Sequence, residues 1–559
     1  MRKIPTLLII FVLFGMVSGC GAGSGGAGGV PPGTLAITML YGSEKQAWVE
    51  AVVKTFNDQA IKSSSGKPIF VSATPIGSNE SLTQILSGQA QPTIWSPASG
   101  VLIPLANEQW GKTHSGTALV TDAPPLVLSP VVIAMWEPMA RALGWSDIKL
   151  GWSDIAELAK SGKTWSDYGH PEWGPFQFGH THPDYSNSGI VSILATAYAA
   201  TGKTRGLTVA DVRKPETAAF ISAVEQGVIH YGASTGFFAD QMFTRGPGYL
   251  SAAVLYENLV VQSRDKTKYP NLALPVVALY PKEGTFWSDH PFAILNAPWV
   301  DAEQRAAAAV FRDFLLARPQ QELALQLGFR PSDPNIAIGA PIDSAHGVDP
   351  KQPQTLLDVP SADVISAVRD AWGQSKKRVD VMAVLDVSGS MQDENRLENA
   401  KAALKTFVQQ LADQDRFGLT TFSTNAAVLS PISPIGPKRQ QMLDQIAGLI
   451  PQGNTRLFDT IDEAYQSLNA ESAGQRIRAL VVLTDGEDNR SHRSAADLVR
   501  ELEQDQEGRS VKVFTIAYSS GADASVDALK QIAQATGASS YQSAVTAIEQ
   551  VYRDIATFF

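Results

Sequence analysis

Residues Val379 to Met391 read VDVMAVLDVSGSM, and this stretch constrains the fold more than any other. Val379 to Leu385 is a short and mostly apolar run of β-branched and aliphatic residues, the pattern of a strand buried on both faces of a parallel sheet. It ends at an acid. Asp386, Ser388 and Ser390 follow at alternate positions, and in a loop leaving a strand tip that spacing turns three oxygen-bearing side chains towards one point. Oxygen donors without sulfur or imidazole suit a hard cation, Mg²⁺ first, with Mn²⁺ or Ca²⁺ as alternatives. Two of the three are neutral hydroxyls, so the ion keeps most of its charge and can attract a carboxylate from outside.

Two further oxygens stand at suitable places. Thr455 lies in the Gly/Asn turn QGNTRL (Gln452 to Leu457), ahead of an amphipathic run. A second apolar strand, Ala479 to Leu483, ends at Thr484, Asp485 and Gly486. Asp and Ser are ordinary turn and cap residues, so the DxSxS spacing alone carries little. Joined to a Thr and a second Asp at junctions of the same α/β unit, it resembles the metal-ion-dependent adhesion site of von Willebrand factor type A domains. The resemblance implies that Asp386, Ser388, Ser390, Thr455 and Asp485 hold Mg²⁺, directly or through water, and that a protein partner's carboxylate completes the shell. The resemblance also allows Asp393 and Glu394 to hold a second cation, as in some integrin domains, but they fit better in the first turn of the following helix, where acids favour the dipole.

At 559 residues the chain has room for several cores, and its excess of acids over bases (55 to 45, net charge -10) argues against nucleic acid as a partner. Its one cysteine, Cys20, permits no intrachain disulfide. Arg2 and Lys3 precede the apolar run Leu7 to Val17, which has the length of a signal-peptide core and is short for a membrane span. Val17, Ser18, Gly19 and Cys20 then resemble a bacterial lipobox, with Val17 where leucine is commoner. That resemblance implies diacylation of Cys20 and an outward-facing, lipid-anchored protein, extracellular or periplasmic. Gly21 to Gly33 reads as a flexible tether.

From Thr34 strand and helix patterns alternate. Strands are expected at Leu35 to Leu40, Pro68 to Ala73, Leu126 to Trp136, Ala252 to Tyr256 and Leu272 to Leu279. Helices are expected at Lys45 to Ala60, Ser188 to Ala200, Ala218 to Tyr231, Ala302 to Ala317 and Gln320 to Leu327. The phrases LYGSEKQAWVEAVVKTFND, LVLSPVVIAMWEPMARALGW and FGHTHPDYSNSG resemble the type II periplasmic solute-binding fold, two α/β lobes with a ligand cleft between them. Small and hydroxyl residues at Ser43, Ser78, Ser186, Asn187 and Ser188 stand where strands or loops hand over to helices. Unsatisfied N–H groups at such starts suit an oxyanion or carbonyl oxygen, although Ser and Gly are also good caps. Tyr256, Trp95 and Tyr185 are candidates to line the cleft, although aromatic residues near strand ends are more often core; His180 and His182 offer a metal-ligand pair but fit a solvated or gating role better.

The expected organisation is a leader (1–20), a tether (21–33), a two-lobed periplasmic-binding-protein-like domain (34–341), a linker with a helix at Ala362 to Ser375 (342–375), and a Rossmann-like, doubly wound von Willebrand factor type A domain (376–559). The helix at Ala362 to Ser375 is expected to pack on that last domain. Helices at Arg396 to Ala412, Arg439 to Leu449, Leu457 to Leu468, Ala495 to Glu503 and Val526 to Ala535 should alternate with strands at Phe417 to Phe422, Ala479 to Leu483, Val511 to Ala517 and Ser540 to Gln542.

Three GKT triplets, at Gly111, Gly162 and Gly202, lack the upstream glycine of a phosphate loop, and no HExxH occurs. The leading expectation is a non-enzymatic lipoprotein that binds a small polar or anionic solute and, through Mg²⁺, a protein partner. Delivery of the solute to an ABC permease, with the metal domain as an accessory, is the alternative. A hydrolase acting at the metal is the third reading and needs a general base beside the ion.

Overall fold

The structure, a computed structural model, describes residues 30–471, 476–486, 488–504, 511–518, 524–536, 538, 540–542, 548, 551–552 and 555. Cys20, the expected leader and the tether up to Gly29 lie outside the described residues.

Strands β1 (Leu35–Gly42), β2 (Ile69–Ile76) and β3 (Ile94–Ser96) form a parallel set with β1 in the middle. The helix Gln46–Asp58 covers it with Trp48, Val49, Val52 and Phe56, the apolar stripe that the sequence spacing requires. The chain then crosses to a second sheet made of β4 (Val127–Trp136), β5 (Phe178–Thr181), β6 (Val228–Gly232), β7 (Ala252–Tyr256), β8 (Val276–Leu279) and β9 (Trp287–Ser288). It returns to the first sheet with β10 (Ala293–Ile294), antiparallel to β3, and once more to β4 with β11 (Arg330–Pro331). Two α/β lobes joined by crossing segments result.

The third sheet holds β12 (Val379–Asp386), β13 (Arg416–Phe422), β14 (Ala426–Pro434), β15 (Ile477–Thr484), β16 (Lys512–Ala517) and β17 (Ser540–Gln542), in the order β14-β13-β12-β15-β16-β17. All eight residues of β12 are buried, as its mostly apolar sequence requires of a central strand with helices on both faces, and the acid within it, Asp380, is paired with Arg416 and Arg476. From β12 the sheet grows one way through β13 and the other way through β15. The carboxyl end of β12 therefore faces a point where the winding reverses, the usual place for a ligand in an open α/β sheet.

Three expectations are corrected. The helix expected at Ala218 to Tyr231 stops at Gly227 (Pro215–Gly227), and Val228–Gly232 is β6, parallel to β5; the β-branched and aromatic residues of VIHYG favour strand once a partner is beside them. β14 was not expected; it is an exposed edge strand, antiparallel to β13, and edges are where Pro431 and Pro434 are tolerated.

The third concerns the helix Ala362–Ser375, which packs on the solute-binding half rather than on the third sheet. It contacts Ile103–Thr113 of the first lobe and Asn187–Thr201, Val209–Val212 and Pro215–Gly227 of the second. Val364, Ile365, Val368 and Trp372 are buried in the core that both lobes share, and Arg369 pairs with Asp184. The apolar stripe was legible but not its partner, because a stripe does not say which surface it covers.

Candidate metal centre and solute cleft

Asp386 is the last residue of β12, opposite Phe422 of β13, and Leu385 is opposite Leu483 of β15. That register brings Asp386, Thr484 and Asp485 together at the strand tips. One oxygen of Asp386, Oδ1, accepts from Ser388 N at 2.8 Å, the other from Thr484 Oγ1 at 2.5 Å. Ser388 Oγ lies 3.1 Å from Ser390 Oγ, and Ser390 Oγ donates to Asp485 Oδ1 at 2.8 Å.

Thr455 is carried by a loop tied down beside these residues: Gln452 N donates to Val387 O at 2.7 Å and Gly389 N to Gly453 O at 3.0 Å. Gly453 takes φ +76°, and a Cβ there would stand 2.6 Å from Thr424 Oγ1, so the turn needs glycine. Asn489 pairs with Thr455 through Thr455 N to Asn489 Oδ1 and Asn489 N to Thr455 O, both 3.0 Å. Ser390 Oγ and Thr455 Oγ1 each lie 3.8 Å from the point where a side chain on Gly486 would begin. The five residues thus gather at one end of the sheet.

Asp386 is fully buried, and burial pushes its carboxyl up to about 6, with the nearby Asp485 charge adding to the effect and the bonds from Thr484 and Ser388 opposing it. A buried acid of this kind lacks a compensating charge, which a cation would supply. Among the described residues no group of three or more His, Cys, Asp or Glu is placed to hold a metal, so a cation here would depend on hydroxyl oxygens. Two carboxylates and three hydroxyls fit Mg²⁺. The cluster is not roofed over: Gly389 and Ser390 are exposed. Asp393 and Glu394 are exposed residues that precede the helix Arg396–Gln410 rather than opening it, with Glu394 at φ +51°.

Sequence reading missed two partners. Thr484 holds Asp386, and Arg396 Nη1 donates to Asp485 Oδ2 at 2.8 Å. A Thr that ends a strand and an Arg that opens a helix look structural in a sequence; only the fold brings them to the acids.

In the solute-binding half, Ser186, Asn187, Ser188 and Tyr256 join one buried network. Asn187 Nδ2 donates to Tyr256 OH at 2.9 Å and Asn187 Oδ1 accepts from Ser99 Oγ at 2.8 Å. Thr235 Oγ1 donates to Ser188 Oγ at 2.8 Å and lies 3.2 Å from Ser186 Oγ. Ser43, on the first lobe, accepts from Gly236 N of the second at 3.3 Å. The lobes touch directly: Asn79 N and Glu80 N donate to Tyr185 O, and a Cβ on Gly77 would collide with that oxygen.

Ser78 stays outside the network, its hydroxyl accepting from Ala98 N at 3.0 Å. Trp95 is a core residue, fully buried with Nε1 on Ser81 Oγ. His180 and His182 are neither solvated nor at the cleft mouth. Both are buried, His180 against Glu225 (3.0 Å) and His182 against Tyr185, Tyr231 and Trp372, and burial holds His182 neutral with a pKa of about 3. A histidine pair in a polar loop gives no sign of such packing.

Below the cleft lies a charged cluster that sequence reading also missed. Lys45, wholly buried, bonds Glu44 Oε1 at 3.1 Å and Ser96 O at 2.9 Å, and His290 Nδ1 lies 3.2 Å from Glu44 Oε1. Burial alone would raise the Glu44 carboxyl, but Lys45 and His290 outweigh it and hold it at about 2. His290 packs edge-on to Tyr256, and among the described residues its buried Nε2 and the buried Ser96 Oγ have no hydrogen-bond partner. A groove of about 820 Å³ opens between the lobes, with Ser43, Glu50 and Glu80 on one wall and Ser234, Gly236 and Asp240 on the other.

Comparison with known proteins agrees with this division. The family model for bacterial extracellular solute-binding proteins matches residues 37–330, and that for the von Willebrand factor type A domain matches residues 380–554. Calcium-activated chloride channel regulator 1 of Bos taurus is 27% identical over 184 residues, 32% of this chain and 19% of that protein. The chain spans only between 13% and 23% of the length of the curated relatives it matches. Among solved structures, the sulfate-binding protein SubI of Mycobacterium tuberculosis H37Rv is 18% identical, covering 60% of this chain and 98% of that one at a TM-score of 0.40. A von Willebrand factor type A structure from Catenulispora acidiphila is 20% identical, covering 33% of this chain and 42% of that one at a TM-score of 0.29. Among the described residues no helix is long and apolar enough to cross a membrane.

Proposed function

Because the chain belongs to the bacterial extracellular solute-binding protein family and carries a von Willebrand factor type A domain, we propose that it is a non-enzymatic surface lipoprotein with two binding sites. Its cleft takes a small polar or anionic solute. Its third sheet takes a protein partner, whose carboxylate completes the shell of a Mg²⁺ ion held by Asp386, Ser388, Ser390, Thr455 and Asp485. Cys20, diacylated, anchors it to the outer face of a cell membrane.

The observation that carries the reading is the gathering of those five oxygen-bearing side chains at the tips of β12 and β15, open to solvent at Ser390. When bound, Mg²⁺ supplies a fixed positive charge to which a partner's acid can bind. The residues do the rest: Thr484 orients Asp386, and Asn489 holds the Thr455 loop. Lys377, just ahead of β12, donates to Val228 O of the second lobe, so the solute-binding half sits at the far end of β12 from Asp386. An eight-residue strand separates the two, roughly 25 Å.

For the solute, support comes from the buried network at Asn187 and Tyr256 and from the partnerless polar atoms of Ser96 and His290, since buried polar groups are seldom left unmatched. Glu50 and Glu80 on the groove walls, with Asp240 already paired to Lys268 at 2.9 Å, weigh towards a neutral member of the polar class. Transport is the second reading, favoured by the match to the solute-binding family over residues 37–330: solute would pass to an ABC permease.

Thermal unfolding in Mg²⁺, in chelator, and with a panel of sugars, amino acids and small anions tests both sites together, because a ligand stabilises the fold it binds by mass action. Two independent upward shifts are expected. No shift with Mg²⁺ would refute the adhesion site, and no shift with any panel member would remove the support for a working cleft.

A further inference from the structure

The five oxygens do not by themselves give the site a liking for acids. Asp386 and Asp485 together carry the charge that cancels a divalent cation, and three hydroxyls add none. A neutral shell has little long-range pull on another carboxylate.

Arg396 alters that sum. Its Nη1 holds Asp485 Oδ2 at 2.8 Å while Ser390 holds Oδ1, so the guanidinium sits directly behind one of the two acids. The Asp485 side chain is 0% exposed and that of Arg396 19%, so water screens the pair poorly. Glu394, the other acid near Arg396, is 3.6 Å away and 63% exposed, so water screens its charge more than that of the buried Asp485, and it offsets Arg396 only in part.

The backbone is bent to put the arginine there. Glu394 (φ +51°) and Asn395 (φ +57°) are consecutive left-handed residues, an uncommon conformation for side chains with a Cβ. Arg396 is then the first residue of a 15-residue helix, the end at which a cation is disfavoured by the dipole. Among the described residues its buried Nε has no hydrogen-bond partner, so the bond to Asp485 is not part of a wider network around the guanidinium's inner edge.

Resting on the metal site proposed above, we infer that Arg396 sets the net charge of that site and thereby its selectivity for acidic partners. With Mg²⁺ bound, Arg396 leaves the cluster at one net positive charge where Asp386 and Asp485 alone leave it neutral. Arg396 thus works against metal affinity and in favour of anion affinity, and removing it moves the two in opposite directions.

The test uses the full chain, Mg²⁺ titration calorimetry, and acetate as the probe anion. Acetate is added to the Mn²⁺-loaded protein, and its half-effect concentration is read from loss of water-proton relaxation enhancement. In Arg396→Gln, Mg²⁺ binds more tightly and the acetate midpoint rises, each on the order of tenfold. Arg396→Lys keeps both near the unaltered protein's values. Glu394→Gln, at an exposed position where folding is not at stake, lowers the acetate midpoint. An acetate midpoint unchanged in both Arg396→Gln and Glu394→Gln overturns the inference, as does Mg²⁺ affinity falling in parallel with acetate affinity, which marks a merely structural arginine. Failure of the unaltered protein to take up Mn²⁺ refutes the metal site itself, and the role of Arg396 with it.

Discussion

Ser390 Oγ donates to Asp485 Oδ1 at 2.8 Å across 95 residues of sequence. The bond joins the loop that leaves β12 to the loop that leaves β15, and it exists because those strands are parallel neighbours whose carboxyl ends lie side by side. Everything proposed for the metal follows from that adjacency.

Thr484 orients Asp386 without belonging to the five. Thr484→Val keeps shape and removes the 2.5 Å bond to Asp386 Oδ2. Losing such a supporting partner is expected to weaken Mg²⁺ binding about 10–100-fold, measured by calorimetry. Stability in chelator should change by only about 1 kcal/mol.

Binding of Mg²⁺ should depend on pH through Asp386. Burial holds its carboxyl at about 6 in the fold against 3.8 for the free side chain. The folded state therefore keeps a proton that the unfolded chain has lost, and the metal-free protein loses stability as pH rises from about 4 to about 6. Because the ion needs the carboxylate, Mg²⁺ affinity should be level above about pH 6 and fall about tenfold per unit below it. Calorimetry at a series of pH values checks this; a flat profile down to pH 4 would contradict it.

A buried ion pair ties β11 to the helix that follows β7 in the solute-binding half. Arg330 meets Glu257 through two bonds, Nε to Oε1 at 2.8 Å and Nη2 to Oε2 at 2.7 Å, and Tyr280 also donates to that carboxylate. Arg330→Met leaves the Glu257 charge buried and unmatched, and should cost about 3–5 kcal/mol in urea unfolding. Lysine is expected to restore only part of it, since it cannot make the paired contact.

Much of this architecture was legible in the sequence. Strand β12, the helix stripes and the oxygen-bearing residues that gather at the strand tips are local patterns: a mostly apolar run, a 3.6-residue spacing, an acid where the run stops. What was not legible is pairwise. Nothing near Arg396 announces Asp485, nothing in HTHPDYSNSG announces that His182 is packed under Trp372, and the stripe of the helix Ala362–Ser375 is the same whichever surface it covers. The edge strand β14 escaped because one side of it faces solvent and it carries prolines.

That helix gives a sharp stability prediction. Trp372 is buried in the core of the solute-binding half and packs edge-on to His182 and Tyr231. Trp372→Ala should cost that half about 3–5 kcal/mol. Calorimetric unfolding should show the solute-sensitive transition lowered and the Mg²⁺-sensitive one in place. Loss of the Mg²⁺-sensitive transition alone would mean that the helix belongs to the third sheet after all.

The most direct measurement is anomalous X-ray scattering from crystals grown with Mn²⁺ in place of Mg²⁺. A single strong peak is expected among the side-chain oxygens of Asp386, Ser388, Ser390, Thr455 and Asp485, with the nearest oxygens about 2.1 Å away. A Mn²⁺ peak elsewhere, or none at that centre while Arg396 stays on Asp485, would contradict the account.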